Sequence, residues 1–245
     1  MDAPLQSRYR LAEKLGEGGL GAVYRARDIR LGRDVALKFL QPALAQDEGR
    51  RERFLNEARA AAALNHPGIA TIHSIEEDDG SLFIVMELIE GQTLRQLSGG
   101  RPMPLARAMQ YCTAAADALR AAHHKGIIHR DIKSSNIMVT AEDRVKVLDF
   151  GLAKLPDSSL VTQENILMGT MAYMSPEQAI GAAVDQRCDL WSLGIELYEL
   201  LTGRLPFTGE NYRAVLHGLL HTEPEPVSQY RGDVPATVHR ILARA

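Results

Sequence analysis

Cysteine is scarce. Cys112 and Cys188 are the chain's only thiols, too few for a disulfide framework, and a reducing interior is the simpler setting. Long apolar stretches are also missing. The run Leu82 to Met86 is closed by Glu87, far short of the ~20 residues that a membrane-spanning helix needs. Met1 to Arg10 holds no apolar signal core. Neither sign of charge dominates: 28 basic against 31 acidic side chains leave −3, so no global basic field invites nucleic acid or an anionic membrane. What remains is an ordinary globular composition, 45% apolar and 24% charged over 245 residues. That excludes a disordered or fibrous chain and allows one large domain or two small ones.

Residues 9–90 read mostly as strands. Tyr9 to Leu15 and Ala22 to Arg27 flank a glycine cluster and predict a hairpin. Asp34 to Leu40, Gly68 to Ile75 and Ser81 to Glu87 read as further strands, the last two joined by the turn Glu77-Asp78-Asp79-Gly80. One helix interrupts them, Glu48 to Leu64, ended by Asn65-His66-Pro67-Gly68. After Gly91 helices take over. Pro104 to His124 is alanine-rich and amphipathic and is closed by Lys125-Gly126; Asp185 to Leu201 is closed by Thr202-Gly203. Between them Val145 to Leu148 reads as a short strand and Pro156 to Asn165 as a polar stretch. Strands first and helices second predict an α+β chain of two lobes.

Four motifs carry chemistry. The first is Gly16-Glu-Gly18-Gly-Leu-Gly21-Ala-Val23. Alone it is equally a flexible hairpin turn. A dinucleotide site would need a helix after it, whereas Ala-Val-Tyr-Arg-Ala favours a strand, which suits a loop folding over phosphates. The second is Lys38 in Val35-Ala-Leu-Lys38, by default a solvent-facing strand residue. Glu57 changes that balance. It lies on or beside the apolar stripe Phe54, Ala58, Ala61 and Leu64, and a charge facing a core needs a partner. Lys38 is one candidate partner and Arg53, four residues back, is the other. The third is His129-Arg130-Asp131-Ile132-Lys133-Ser134-Ser135-Asn136, which packs a carboxylate, a cation and a metal-binding amide into one loop. The fourth is Asp149-Phe150-Gly151, an acid at a strand's carboxyl end that suits a Mg²⁺ ligand and is also a common turn.

Taken in this order, the motifs give a chain that resembles a eukaryotic-type protein kinase domain over residues 9–245. The match continues through Gly169-Thr170, Tyr173, Ser175-Pro176-Glu177 and Asp189-Leu-Trp191-Ser192-Leu-Gly194, and Met168 to Gln178 is similar to the Ser/Thr kinases of bacteria. The resemblance implies a bilobal α+β fold: an extension over 1–8, an N-lobe over 9–90 with an antiparallel sheet and one key helix, a hinge at 87–89, and a mainly helical C-lobe over 91–245. It implies that Gly16, Gly18 and Gly21 cover the phosphates of ATP. Lys38 would hold the α- and β-phosphates and pair with Glu57, Asp131 would accept the hydroxyl proton, and Asn136 and Asp149 would hold Mg²⁺, with Mn²⁺ as the alternative. Lys133 resembles the lysine that Ser/Thr kinases carry near the transferred phosphate, and Thr170 matches the threonine that supports the base and the Ser/Thr acceptor. Met86, Glu87 and Ile89 would line the hinge, and Val23, Ala36 and Met138 would sandwich adenine, although simple core packing is the plain alternative for those three.

The implied function is ATP-dependent phosphorylation of Ser/Thr hydroxyls on protein substrates in signal transduction. The alternative is a nucleotide-binding pseudokinase or scaffold, whose usual mark is loss of the residues equivalent to Lys38, Asp131, Asn136 or Asp149; all four are present. The expected setting is cytoplasmic, with a membrane anchor left open for a part of the parent protein outside this segment, self-association for autophosphorylation as an option, and no nucleic-acid or membrane contact from this segment. Arg130 would bind a phosphorylated residue between Leu152 and Thr170. Thr162 is the expected main site over Ser158 and Ser159, with Glu164 supplying part of a second charge. His123 and His124 read as helix C-terminal cations rather than metal ligands. Val234 to Ala245 reads as the helix before the family's last one, whose arginine pairs with the acid of the Ser-Pro-Glu segment, so Glu177 is expected to lack its partner.

Overall fold

The computed structural model describes residues 8–18, 21–41, 47–150 and 170–245. A five-stranded antiparallel sheet comes first, in the order β1-β2-β3-β5-β4. Its strands are β1 (Tyr9–Gly18), β2 (Gly21–Asp28), β3 (Arg33–Phe39), β4 (Ile72–Asp78) and β5 (Ser81–Glu87), with helix α1 (Glu48–Ala62) between β3 and β4.

Strand β3 is buried on both faces from Val35 to Lys38, and the period-two alternation of a strand divides its side chains. Val35 and Leu37 join Tyr9, Ala26, Phe83 and Val85 in one cluster, where Tyr9 and Phe83 meet edge to face at 6.0 Å. Ala36 turns the other way and joins Ile84, Met86, Phe54 and Ala58. Phe54 and Ala58 belong to the apolar stripe of α1, and all four stripe residues are buried. Lys38 shares the parity of Ala36, so the strand turns its cation toward this side of the sheet.

The second part opens with the short strand β6 (Gly91–Thr93) and helix α2 (Leu94–Ser98). Thr93 caps that helix in a reciprocal box with Gln96. Helix α3 (Leu105–His123) buries Ala108, Tyr111, Cys112, Ala115, Ala118, Leu119 and Ala122, the three-and-four spacing of one helical face. Strands β7 (Ile137–Thr140) and β8 (Val145–Val147) pair with β6 in the order β6-β7-β8. Then follow α4 (Pro176–Ala179), α5 (Arg187–Thr202), α6 (Tyr212–His221) and α7 (Ala236–Leu242). Helix α5 buries ten residues and shares the largest core cluster with α3, β7 and β8. Both cysteines are buried free thiols.

The strand predicted over Gly68 to Ile75 divides in two. Only Ile72 onward joins the large sheet. Ile69 instead bridges Val147 in parallel, with Ala70 N–H on the Val147 carbonyl at 3.0 Å and Val147 N–H on the Gly68 carbonyl at 2.8 Å. One extended stretch thus serves both parts of the molecule. The expected α+β, two-lobed arrangement is the one observed. Among the described residues no helix is long and apolar enough to cross a membrane.

Candidate active site

The register of β3 against β2 and β5 sets Lys38 opposite Val23 and Ile84. Its side chain is buried, and Nζ lies 2.8 Å from Asp149 Oδ2. Asp149 sits just beyond β8 with φ +58°, a conformation that Asp tolerates better than most residues. Burial alone would raise its carboxyl. The charge and hydrogen bond of Lys38, helped by Lys133, hold it below the usual carboxylate range instead. The two are therefore a charged pair at a place where the sequence suggested Glu57 as partner; Glu57 itself is half-buried on α1.

The catalytic-loop candidates converge on Asp131. Lys133 Nζ lies 2.8 Å from its Oδ2. Asn136 Nδ2 donates to the same Oδ2 at 2.9 Å and to the Asp131 carbonyl at 2.8 Å. Oδ2 is thus occupied, which leaves Oδ1 for another donor, and the Asn136 amide oxygen is turned away from these two bonds. Lys133 Nζ also donates to Thr170 Oγ1 at 3.1 Å. The backbone N–H of Asp131 donates to His129 Nδ1 at 3.2 Å, so Nε2 carries the ring proton and donates it to the Leu148 carbonyl at 2.6 Å. His129 is buried, and Phe150 packs edge-on against its ring at 4.7 Å. This contact joins the Asp131 loop to the residue after Asp149.

Three residues with no assigned role hold the loop in shape. Arg130 has φ +69°, a strained conformation for a long side chain. Asp189, on the first turn of α5 and fully buried, accepts from Arg130 N–H at 2.7 Å and from His129 N–H at 2.8 Å. Gln178 Nε2 donates to the Arg130 carbonyl at 2.9 Å. His123 is the third. Its Nε2 lies 2.7 Å from Asp189 Oδ2 and it is largely buried, so besides standing in the last turn of α3 it is a partner of the buried acid, which its position did not suggest. Burial pushes the Asp189 carboxyl up, but His123 and the two backbone amides outweigh that and hold it low. Ser175 caps α4 in a box with the same Gln178. Glu177 is half-buried rather than enclosed, within electrostatic reach of Arg187.

On the sheet side, Val23, Ala36 and Met86 gather in one apolar cluster with Leu88. Met138 sits on β7 opposite Lys146. The N–H of Glu87 donates to the Thr71 carbonyl at 2.8 Å, and its side chain is held by Lys146 at 2.8 Å and by Thr71 N–H at 3.1 Å. Its N–H and its carboxylate are therefore both engaged within the fold. The glycines differ in kind. A Cβ on Gly16 or Gly18 would meet nothing within 4 Å, whereas one on Gly21, with φ +146°, would fall 1.7 Å from the Phe39 carbonyl oxygen. Gly21 is required by packing. Gly16 and Gly18 border open space where backbone amides can approach phosphates. Among the described residues no cluster of three His, Cys, Asp or Glu could hold a metal. One carboxylate and one amide, completed by phosphate oxygens and water, is how hard divalent ions sit on nucleotides. Gly151, Ser158, Ser159, Thr162 and Glu164 lie outside the described residues.

The protein kinase domain family matches residues 9–234. Serine/threonine-protein kinase PknB of Mycobacterium leprae is 44% identical over 98% of the chain, and the chain covers 40% of that protein. A probable serine/threonine-protein kinase of Streptomyces coelicolor, SCO3848, is 43% identical over 98% of the chain and 37% of its own length. The crystal structure of the PknI kinase domain of Mycobacterium tuberculosis superposes with a TM-score of 0.74 at 30% identity, covering 98% of this chain and 89% of that one. The chain belongs to the protein kinase domain family. Within it the named relatives are serine/threonine-protein kinases, and the family implies the use of ATP and a divalent metal ion. It spans about 40% of the length of the PknB relatives.

Proposed function

We propose that this chain transfers the γ-phosphate of ATP to Ser/Thr hydroxyls with Asp131 as base. The observation that carries this reading is the convergence on Asp131. Lys133 and Asn136 occupy Oδ2, which fixes the carboxylate and leaves Oδ1 to take the acceptor proton within hydrogen-bond reach. In-line phosphoryl transfer asks little covalent chemistry of the protein; it asks for position and charge neutralisation. Lys38 would move its charge from Asp149 alone to Asp149 and the α- and β-phosphates, with Glu57 as its second partner. Lys133, already between Asp131 and Thr170, would balance charge on the transferred group. Gly16, Gly18 and Gly21 would cover the phosphates. Glu87 and Ile89 would bind the adenine edge with Met86 behind it, and Val23, Ala36 and Met138 would enclose the ring. Asn136 and Asp149 would hold Mg²⁺, or Mn²⁺ in its place, which when bound neutralises phosphate charge. The same chemistry supports autophosphorylation at Thr162, read by Arg130, in a transiently self-associated form.

The test is transfer of labelled phosphate from ATP to a generic protein acceptor. Asp131→Ala and Asp149→Ala should each lower transfer by at least about 10²-fold, the scale of a lost base or charge clamp, with the melting curve still cooperative. Transfer at the unmodified rate in either variant overturns the assignment. Retained nucleotide binding with no transfer in the unmodified chain would favour the scaffold reading.

A further inference from the structure

Ser134 lies on the catalytic loop, next to Lys133, and no role is assigned to it. Its side chain is buried, so its hydroxyl needs a partner. Oγ lies 3.0 Å from the Tyr173 hydroxyl, and that hydroxyl also bonds a carboxylate oxygen of Glu199 on α5. A carboxylate only accepts, so the single tyrosine proton goes to Glu199. Ser134 must then donate its own proton to the phenolic oxygen. The order of donation is Ser134 to Tyr173 to Glu199. Burial, followed by the nearby acids Glu196 and Glu199, keeps the Tyr173 proton bound far above the ordinary range.

The neighbouring residue makes a parallel bond. Lys133 Nζ donates to Thr170 Oγ1 at 3.1 Å. Thr170 and Tyr173 are the two ends of one turn, closed by Tyr173 N–H on the Thr170 carbonyl at 3.2 Å. Two adjacent loop residues therefore hold both ends of this turn. The turn is anchored from behind, where Ser192 Oγ donates to the Tyr173 carbonyl at 2.7 Å. Ser134 is anchored on its other side, where its carbonyl accepts from Arg95 N–H at 3.1 Å.

We infer that Ser134 is a positioning residue for phosphotransfer. Its bond to Tyr173 fixes the distance between the catalytic loop and the 170–173 turn, and that distance lets Lys133 reach Asp131 and Thr170 at once. A lysine side chain has several free torsions and cannot hold two partners unless the backbones that carry them stay in register. Ser134 itself touches neither Asp131 nor the Lys38–Asp149 pair, so it acts through Lys133. The inference rests on the phosphotransfer reading above.

The test is a double-variant cycle with Ser134→Ala and Tyr173→Phe, read by steady-state kinetics on a protein acceptor and by nucleotide affinity from calorimetry. In Ser134→Ala the Tyr173 hydroxyl keeps Glu199, so the fold should persist. The expected result is a fall in kcat of about fivefold, the worth of one net hydrogen bond, with the KM for ATP and nucleotide affinity unchanged. The double variant should be no slower than the slower single. Unchanged kcat in Ser134→Ala, a loss that appears in nucleotide affinity, or fully multiplicative effects overturn the inference while leaving the phosphotransfer reading intact. An unmodified chain that transfers no phosphate overturns both.

Discussion

Glu196 offers a sharp thermodynamic test. It lies on α5 fully buried, and among the described residues neither carboxyl oxygen has a hydrogen-bond partner. Burial, then the nearby charge of Glu199, pushes its carboxyl well above the ordinary glutamate value of 4.5. Glu196→Met replaces it with an apolar chain of similar length. An unsatisfied buried polar group costs about 1–3 kcal/mol, so a gain of about 2 kcal/mol is expected, or roughly 4–8 °C in Tm for a domain of this size. The pH dependence has a definite sign. A carboxyl whose folded value is raised favours the fold fully below the unfolded value near 4.5. That advantage is lost as pH rises toward the folded value, because the unfolded chain releases a proton that the folded chain keeps. The loss runs at up to about 1.4 kcal/mol per pH unit. The gap between Glu196→Met and the unmodified protein should therefore widen from pH 5 to pH 8 in circular-dichroism melts. Glu196→Gln, polar but unable to titrate, should flatten the pH dependence without the full gain. A constant gap across that range, or a less stable Glu196→Met, refutes the reasoning.

Gly21→Ala should destabilise the fold by about 3 kcal/mol, since its Cβ overlaps the Phe39 carbonyl at an unfavourable φ; urea denaturation measures this. Gly18→Ala meets open space, so it should leave the urea midpoint unchanged and raise the KM for ATP. Asp189→Asn removes the charge behind the bonds from His123, His129 and Arg130. It should cost about 3 kcal/mol in urea unfolding and lower kcat more than it changes the KM for ATP; full stability with full activity would contradict the anchoring role of Asp189.

The candidate site residues were legible as a group because the loops that hold them are short. Asp131, Lys133 and Asn136 meet through local spacing, and the stripe from Phe54 to Leu64 appears in the 3.6-residue period. What was hidden depends on distance along the chain. Asp189 grips amides about sixty positions away, and no periodicity encodes such a bond. The bond of His123 was hidden for the same reason: a histidine at a helix end has a sound local explanation, and only the arrival of α5 adds the partner Asp189. Strands β6 and β7 and helices α2, α4 and α6 passed unnoticed because they are short or begin at caps such as Thr93, Ser175 and Asn211 that also suit turns. The division at Ile72 was invisible because both halves of that strand are equally apolar.

The grip of Asp189 reaches its loop through main-chain amides alone. Such a hold is blind to the side chains of the residues held. Position 129 is still constrained by burial and by the Leu148 carbonyl, but among the described residues it is the main chain of Arg130, not its half-buried side chain, that is hydrogen-bonded in place. That side chain can be exchanged without dismantling the loop. In a lineage this permits the side chain at that position to be altered or dropped while the backbone that sets Asp131 one residue further on is inherited unchanged.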